Sequence, residues 1–248
     1  MSDEVAIVTG GSRGIGRATA LKLAARGFRV CVGYATNVEA ANEVVAKIEA
    51  GGGKALAVKC DVRSEVEILD LFMAADGLGR LAALVNSAGI VDATARVNQM
   101  SADRMHRMMA INVVGSMLCA REAVKRMSTQ FGGKGGVIVN LSSAAAVLGS
   151  PGQYVDYAAS KGAIDTFTVG LGREVAAEGI RVAAVRPGLI DTEIHASGGE
   201  PDRAFRLASS VPMKRVGTAD EVANAIAWLI SGEASYVTGT ILDVSGGR

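Results

Sequence analysis

A tyrosine and a lysine four residues apart carry the strongest chemical signal in the sequence. Tyr157 and Lys161 lie in a stretch predicted to be helical, 155–178, so both side chains share one helix face about one turn apart. Tyrosine normally has a pKa of about 10, which is too high for easy proton exchange at neutral pH. A nearby ammonium favours the phenolate, and lowering that pKa by about three units corresponds to roughly 4 kcal/mol. The pair therefore predicts a general acid–base centre, although the spacing alone also occurs on helices by chance.

Two serines follow an apolar strand and are predicted to lie where a substrate binds. The predicted strand, 137–141, runs directly into Ser142 and Ser143. In a doubly wound sheet the ligand crevice lies at the carboxyl ends of the strands. Either serine is therefore placed to hydrogen-bond a substrate oxygen. A serine that caps a turn is the alternative interpretation, and it suits Ser142.

Asn112 lies in the middle of a long predicted helix, 102–127. Asparagine is mildly unfavourable inside a helix because its amide competes for backbone hydrogen bonds. An exposed polar position would explain it, but its neighbours Ile111 and Val113 are apolar. Asn112 is therefore predicted to have a specific role.

A glycine-rich turn, residues 9–16, joins the first predicted strand to the first predicted helix and reads TGGSRGIG. At such a position the backbone approaches a pyrophosphate closely, and the N–H groups of the helix start point at the anion. Gly10 permits a tight turn, Gly14 leaves room for phosphates and Gly16 lets the helix pack close to the strand. The location between strand and helix predicts a dinucleotide site rather than an ordinary tight turn.

The end of the second predicted strand favours NADP(H) over NAD(H). An NAD site usually has an acid about 20 residues past the glycines, to hold the ribose 2′-hydroxyl. Residues 32–37 contain no Asp or Glu. Arg13 in the glycine turn can bind a 2′-phosphate as a forked cation, unless it is only a solvated surface charge. Tyr34, Thr36 and Asn37 are able to donate further hydrogen bonds.

Taken in order, these motifs resemble those of the short-chain dehydrogenase/reductase family. Its bacterial glucose 1-dehydrogenase-like and 3-oxoacyl-carrier-protein reductase-like members are the most similar. The family's Asn-Asn-Ala-Gly motif corresponds to residues 86–89, which read NSAG here, so Ser87 puts one stabilising hydrogen bond in doubt. Further matches are RPG at 186–188, IDT at 190–192 and YVTG at 236–239. The resemblance therefore extends along the whole chain.

The resemblance implies four catalytic residues, Asn112, Ser143, Tyr157 and Lys161. Ser143 polarises a substrate carbonyl, Tyr157 supplies the proton, and Lys161 tunes Tyr157 and holds the nicotinamide ribose. Asn112 sits at a helix kink whose free carbonyl holds a proton-relay water. The family places the serine about thirteen residues before the tyrosine, whereas Ser143 precedes Tyr157 by fourteen, so Ser142 remains the alternative.

The resemblance also implies cofactor and substrate contacts. The predicted cofactor contacts are Gly10, Ser12, Arg13, Gly14, Ile15, Gly16, Tyr34, Thr36, Asn37, Asp61, Val62, Asn86, Ala88, Gly89, Tyr157, Lys161, Pro187, Gly188, Ile190 and Thr192. An ordinary loop or helix cap is the rival interpretation for Asp61. The predicted substrate contacts are Ser143, Tyr154, Tyr157 and His195, with Glu193 and Phe205 beside them. The long polar stretch at about 189–211 is predicted to be a substrate lid.

Short apolar runs alternate with amphipathic stretches along the chain. The predicted strands are 5–8, 30–32, 55–58, 81–85, 137–141, 182–185 and 240–244, and the predicted helices are 17–26, 38–50, 65–75, 102–127, 155–178 and 219–230. Runs that are apolar on both faces are typical of a buried parallel sheet. The alternation predicts one α/β domain over 1–248, a doubly wound parallel sheet of the Rossmann type with helices on both faces.

Composition narrows the function classes. The 248 residues are 49% hydrophobic and carry a net charge of +1, which argues against a nucleic-acid or membrane partner. Three separated cysteines and two histidines are too few for a credible metal site, and the thiols are predicted to be buried in a reducing compartment. We expect a soluble cytoplasmic oxidoreductase that moves a hydride between NADP(H) and a carbonyl or secondary alcohol.

Two questions stay open at this level. A non-catalytic protein that senses NADP(H) is the alternative to an enzyme, and among enzymes a sugar dehydrogenase and a 3-oxoacyl-carrier-protein reductase are not distinguished. The resemblance also implies a homotetramer.

Overall fold

The computed structural model describes residues 3–193, 199–200 and 202–248. The strands are β1 (Glu4–Thr9), β2 (Arg29–Tyr34), β3 (Ala55–Lys59), β4 (Arg80–Asn86), β5 (Gly136–Leu141), β6 (Ile180–Pro187), β7 (Ile190–Asp191), β8 (Gly217–Thr218) and β9 (Thr240–Val244). The α-helices are α1 (Gly14–Ala25), α2 (Val38–Ala50), α3 (Glu65–Leu78), α4 (Ala102–Met109), α5 (Ser116–Met127), α6 (Ala145–Leu148), α7 (Val155–Glu174), α8 (Arg203–Arg206) and α9 (Ala219–Ile230). Within these residues, no helix is both long and apolar enough to span a membrane.

Seven strands form one parallel sheet in the order β3-β2-β1-β4-β5-β6-β9. The chain moves outward from β1 to β3, returns to pair β4 with β1, and then continues to the other edge. This reversal is the switch point at which open α/β sheets bind their ligands, outside the carboxyl ends of the strands. The predicted doubly wound Rossmann-type sheet is confirmed.

The strands are apolar on both faces because helices cover both sides of the sheet. Along β1, Ala6 and Val8 belong to a core cluster with α1, α2 and α9, whereas Val5 and Ile7 face a cluster with α3, α5 and α7. Successive strand side chains point to opposite faces, so one strand contributes to both clusters. This arrangement fixes the strand ends, from which the functional side chains extend.

The predicted helix at 102–127 is interrupted. A π-helical turn at Ala110–Gly115 separates α4 from α5. Such turns insert one extra residue per turn and occur mostly as single turns within α-helices. The predicted helix at 155–178 likewise ends at Glu174 and is followed by a short 3-10 turn, Ala176–Glu178. The hydrophobic pattern's prediction of one continuous helix over 102–127 was therefore wrong, and the interruption lies at Asn112, where the family resemblance implied a kink.

The stretch at 189–211 is more structured than its polar sequence indicates. Its described residues include β7, which pairs with β8, and the single-turn helix α8.

All three cysteines are free and buried, as predicted for the thiols. Burial raises the pKa of Cys31 and of Cys60 to about 12, so both stay protonated at neutral pH.

Candidate active site

A crevice of about 770 Å³ opens at the carboxyl ends of the central strands. This volume lies within the range of about 300–1,000 Å³ typical of small-molecule and cofactor sites. The predicted site residues on its wall are Gly10, Ser12, Arg13, Gly14, Ile15, Gly16, Thr36, Asn37, Asp61, Val62, Ala88, Gly89, Ser143, Tyr154, Tyr157, Lys161, Pro187, Gly188, Ile190 and Thr192. The structure therefore brings most of the predicted residues together from distant parts of the chain.

One end of the crevice, the glycine-turn end, is formed by residues 9–16. Gly10 has φ of 63° and Gly14 has φ of 51°, in the left-handed region that favours glycine. A Cβ at Gly16 would lie 2.2 Å from the carbonyl oxygen of Gly10, and a Cβ at Gly10 would lie 2.9 Å from the Cα of Ala88. The turn is packed so closely against α1 and the end of β4 that side chains do not fit. This narrow backbone turn at the start of α1 fits a pyrophosphate group.

The motif at 86–89 supports the glycine turn from β4. Thr9 Oγ1 accepts hydrogen bonds from the backbone N–H groups of Ser87 and Ala88, both at 3.1 Å. Asn86 points the other way, where its Nδ2 donates to the Ser116 carbonyl at 3.1 Å and to Asn140 Oδ1 at 2.9 Å. The Asn86 side chain therefore ties β4 to β5 and α5 and does not reach the crevice wall.

Tyr34 is the second predicted cofactor contact that is not on the wall. Its side chain packs against the core cluster that lies under α1 and α2. Its carbonyl accepts a hydrogen bond from the Cys60 N–H at 2.7 Å, which continues the pairing of β2 with the chain after β3. Thr36 and Asn37, beyond the strand end, do line the crevice. The side chain of Asn37 also caps α2 by accepting from the Ala40 N–H at 2.8 Å.

Ser143, Tyr157 and Lys161 meet at the middle of the crevice. Ser143 hydrogen-bonds Tyr157 and also accepts from the Ala145 N–H at 3.1 Å. Lys161 Nζ lies 5.6 Å from the centre of the Tyr157 ring and donates to the Leu141 carbonyl at 2.7 Å. The helical spacing therefore places the amine beside the phenol ring.

The neighbouring serine faces away from the phenol. Ser142 is buried, and its hydroxyl donates to the carbonyl of Lys161 at 3.3 Å. The segment between this serine pair and Tyr157 has positive φ at Gly149, Ser150 and Gly152. This geometry favours Ser143 over Ser142 as the partner of Tyr157.

The electrostatics of the pair differ from the sequence-based expectation. Burial raises the pKa of Tyr157, and the hydrogen bond with Ser143 opposes that rise. Burial lowers the pKa of Lys161 to about 8, and the carboxylate of Asp165 opposes that fall. The net result for Tyr157 is a raised pKa and not the lowered one that was predicted. Tyr157 is therefore a protonated phenol at neutral pH, as a proton donor must be.

Asn112 lies inside the π-helical turn and holds the segment after β4. Its Oδ1 accepts from the Ile90 N–H at 2.8 Å, and its Nδ2 donates to the Ile90 carbonyl at 3.0 Å and to Ser160 Oγ at 3.1 Å. A Cβ at Gly89 would lie 3.3 Å from Asn112 Oδ1 and 3.6 Å from Lys161 Nζ, so glycine leaves the space between them open. Asn112 is thus buried behind the crevice wall, one glycine away from the lysine.

The other end of the crevice, the arginine end, is formed by Tyr154, Arg203 and Arg248. Tyr154 is buried, and its hydroxyl is within 2.9 Å of Thr94 Oγ1 and 3.1 Å of Glu200 Oε1. The Arg203 guanidinium stacks over the Tyr154 ring at 5.2 Å. Arg203 and Arg248 were not predicted from the sequence.

The remaining predicted substrate contacts, Glu193, Phe205 and His195, differ in whether the structure places them on the crevice wall. Glu193 lines the crevice, near Gly14. Phe205 is 57% exposed and is absent from the crevice wall as described. His195 lies outside the described residues.

Other residues on the wall were also missed. Arg17 and Arg63 lie near the glycine-turn end, and Arg63 Nε donates to Asp61 Oδ1 at 3.0 Å. That hydrogen bond holds the pKa of Asp61 below its usual value. Arg17 lies one helical turn past Arg13, and that spacing could have indicated from the sequence that it reaches the crevice.

In the part of the chain that the structure describes, His, Cys, Asp and Glu side chains form no group able to hold a metal ion.

Comparisons with known proteins agree with this geometry. A family model described as Enoyl-(Acyl carrier protein) reductase matches residues 10–248. The chain is 57% identical over 245 residues to a protein of Escherichia coli (strain K12) named "Uncharacterized oxidoreductase YgfF", covering 98% of this chain and 99% of that protein. It is 39% identical over 250 residues to the 3-oxoacyl-(acyl-carrier-protein) reductase of Synechocystis sp. (strain ATCC 27184 / PCC 6803 / Kazusa), covering 100% and 97%.

A solved structure supports the same comparison. The crystal structure of a short chain dehydrogenase from Burkholderia cenocepacia J2315 in complex with NADP superposes with a TM-score of 0.90 at 33% identity. The match covers 99% of this chain and 98% of that chain.

Proposed function

The chain belongs to the short-chain dehydrogenase/reductase family, and from that premise we propose that it is an NADP(H)-dependent oxidoreductase acting on a carbonyl or secondary alcohol carbon. The observation that carries the proposal is the half-buried phenol of Tyr157, hydrogen-bonded to Ser143 on the wall of the crevice. A phenol in that position is a proton donor for an oxygen that gains charge during reduction.

The proposed reduction divides the work among four side chains. Bound NADPH supplies the hydride that reaches the carbonyl carbon. Ser143 donates a hydrogen bond to the carbonyl oxygen, and Tyr157 transfers its proton to that oxygen, which becomes a hydroxyl group. Lys161 keeps a positive charge beside the phenol ring below about pH 8. Asn112 holds the segment after β4, and its main-chain carbonyl, which accepts from Ser116 Oγ at 3.3 Å, would also hold the water that returns a proton to the site.

The residues that would hold the cofactor are those at the glycine-turn end. The backbone of 10–16 would bind the pyrophosphate, and Lys161 would hold the nicotinamide ribose. Arg13, Thr36 and Asn37 line the crevice where a 2′-phosphate would need donors. The Burkholderia relative was solved with NADP, which supports the choice of NADP(H) over NAD(H). The homotetramer implied by the family resemblance stays a prediction.

Turnover of diacetyl, a small uncharged diketone, tests the proposal against a non-catalytic sensor. Wild-type protein mixed with NADPH and diacetyl is expected to consume the reduced nicotinamide, measured by its absorbance. Ser143→Ala is expected to slow this reaction by about 100-fold or more without changing NADPH affinity. Ser142→Ala is the matched control and keeps the rate, because its hydroxyl bonds the Lys161 carbonyl. Tight NADPH binding without turnover of diacetyl or any other carbonyl would support the sensor instead.

A further inference from the structure

Two arginines on the crevice wall have no role in the proton transfer described above. Arg203 comes from α8, and Arg248 follows β9. Neither forms an ion pair with an acid within the described residues. Two cations beside one cavity repel each other, and an anion bound between them offsets that repulsion.

Arg203 is held in a fixed orientation. Its guanidinium lies 5.2 Å from the centre of the Tyr154 ring, and its Nη2 donates to Gln153 Oε1 at 2.6 Å. Stacking on a buried aromatic ring leaves the other edges of the guanidinium fork to face the crevice. The side chain is thus presented to the cavity by neutral partners that do not cancel its charge.

Arg248, the second arginine, lines the same crevice from the segment after β9. The turn before it is anchored by the Gly246 carbonyl, which accepts from the Met213 N–H at 3.2 Å. Burial lowers the pKa of Arg248, and the nearby charge of Arg203 lowers it further. The two guanidinium groups are therefore close enough to affect each other electrostatically.

The two acidic side chains nearby in sequence or on the wall, Glu200 and Glu193, form no ion pair with Arg203 or Arg248 among the described residues. Glu200 is bound to Arg206 and accepts hydrogen bonds from Thr94 and Tyr154 at 2.6 Å and 3.1 Å. Glu193 lies at the glycine-turn end, where its carboxylate would be 3.5 Å from a Cβ at Gly14. The arginine end therefore keeps an excess of positive charge.

The position of the pair relates it to the reacting centre. Arg203 stacks on Tyr154, which directly precedes α7 and lies three residues before Tyr157. The same helix start therefore positions both the proton donor and the stacked cation. Tyr157 lines the same crevice as the two arginines, so a substrate whose carbonyl meets Tyr157 shares this cavity with both cations.

We propose that the substrate is a small carbonyl compound with an anionic group, a carboxylate or a phosphate, that Arg203 and Arg248 bind at the arginine end of the crevice. This inference rests on the proposed oxidoreductase function and deepens it by naming the substrate class. Forked guanidinium groups suit both anions, because each presents paired oxygens. A neutral sugar or an uncharged ketone would leave the two cations without a partner.

Matched pairs of carbonyl compounds test the inference in the full-length protein with NADPH. The pairs are acetoacetate with its ethyl ester, and dihydroxyacetone phosphate with dihydroxyacetone. At least one anionic member is expected to have a kcat/KM about tenfold or more above that of its neutral partner. A preference in the first pair identifies a carboxylate, and one in the second pair identifies a phosphate. Equal or better reduction of both neutral members would overturn the inference but leave the proposed function intact.

Variants assign the preference to the two arginines. Arg203→Met and Arg248→Met are each expected to raise KM for the preferred anion about tenfold or more, and to raise KM for its neutral partner and for NADPH by much less. Arg173→Met removes an exposed arginine of α7 and is the control for net charge. If Arg173→Met had the same effect, or if KM for NADPH rose as much as KM for the anion, the inference would be wrong. A wild type that reduces no carbonyl compound at all contradicts the proposed function itself.

Discussion

The glycine-turn end and the arginine end belong to one crevice but depend on different kinds of contact. Residues 9–16 form the first end from consecutive backbone groups, in a turn whose shape is set by local glycines. The second end combines Tyr154 with Arg203 and Arg248, which come from segments far apart in the chain. The first end is suited to a group that all members of the family share, and the second to whatever distinguishes one substrate from another.

This difference explains where the sequence was informative. The glycine turn and the Tyr157–Lys161 spacing are local patterns, so each was predicted with its position on the crevice or helix. The contact of Arg203 with Tyr154 joins residues 49 positions apart, and no pattern in the sequence indicates it. Long-range packing also explains why Tyr34 and Asn86 were assigned to the cofactor but face the interior.

The interrupted helix at Ala110–Gly115 depends on both a local pattern and a long-range contact. Asn112 was singled out because asparagine is unfavourable inside a helix, and the structure places a π-helical turn there. Its side chain bonds both backbone groups of Ile90, 22 positions away, and that distant partner was invisible in the sequence. Asparagine's helix propensity therefore identified the unusual residue, and the break in the helix was indicated by the family resemblance, not by the hydrophobic pattern.

The largest effect on stability is expected next to the arginine end, from the ion pair that holds the start of α7 just after Tyr154. Arg104 Nε and Nη2 donate to the carboxylate of Asp156 at 2.7 Å and 3.1 Å, and both side chains are nearly buried. Arg104→Met is expected to lower the free energy of unfolding by about 3–5 kcal/mol, because it leaves a buried carboxylate unpaired. Chemical denaturation measures this change.

The double variant checks that interpretation. Arg104→Met combined with Asp156→Asn removes both charges, so its loss is expected to be smaller than the sum of the two single losses. Simple additivity would show that the pair does not act as a unit. The start of α7 would then be held by other contacts.

At the glycine-turn end, a single methyl group is expected to be damaging. A Cβ at Gly16 would meet the Gly10 carbonyl oxygen at 2.2 Å, so Gly16→Ala must displace backbone. We expect a loss of about 3 kcal/mol in unfolding free energy together with weaker NADPH binding, measured by denaturation and fluorescence titration. Gly170→Ala on α7 is the control, because a Cβ there meets nothing within 4 Å and alanine favours a helix. An unchanged NADPH affinity in Gly16→Ala would contradict the role given to the turn.

Cofactor choice is expected to respond to one arginine of the same turn. Arg13→Ala is predicted to weaken NADPH binding by about tenfold or more and NADH binding much less, because a charge-assisted bond to a 2′-phosphate is lost. Titration of both cofactors measures this difference. Lys47→Ala on the exposed face of α2 controls for the loss of positive charge. Equal weakening of the two cofactors would remove the case for NADP(H).

The smallest expected effect is a pH dependence of kcat/KM that arises from Lys161, which lies between the two ends of the crevice. Burial lowers the pKa of Lys161 to about 8, so the ammonium is present below that pH and is lost as the pH rises through it. The kcat/KM for diacetyl reduction is expected to fall to about half near pH 8 and about a tenth near pH 9. Lys161→Met has no amine to titrate, and its lower activity is expected to lack this fall. The same fall in Lys161→Met would assign the titration to another group.

The proton donor at the centre of the crevice is tested most directly by one single-turnover measurement. NADPH-saturated wild type and Tyr157→Phe are each mixed with excess diacetyl, and the decay of the reduced nicotinamide is followed. The account predicts a rate about 1,000-fold lower in Tyr157→Phe with an unchanged Kd for NADPH, because only the hydroxyl is removed. A Tyr157→Phe rate close to that of the wild type would contradict the assignment of this phenol as the proton donor.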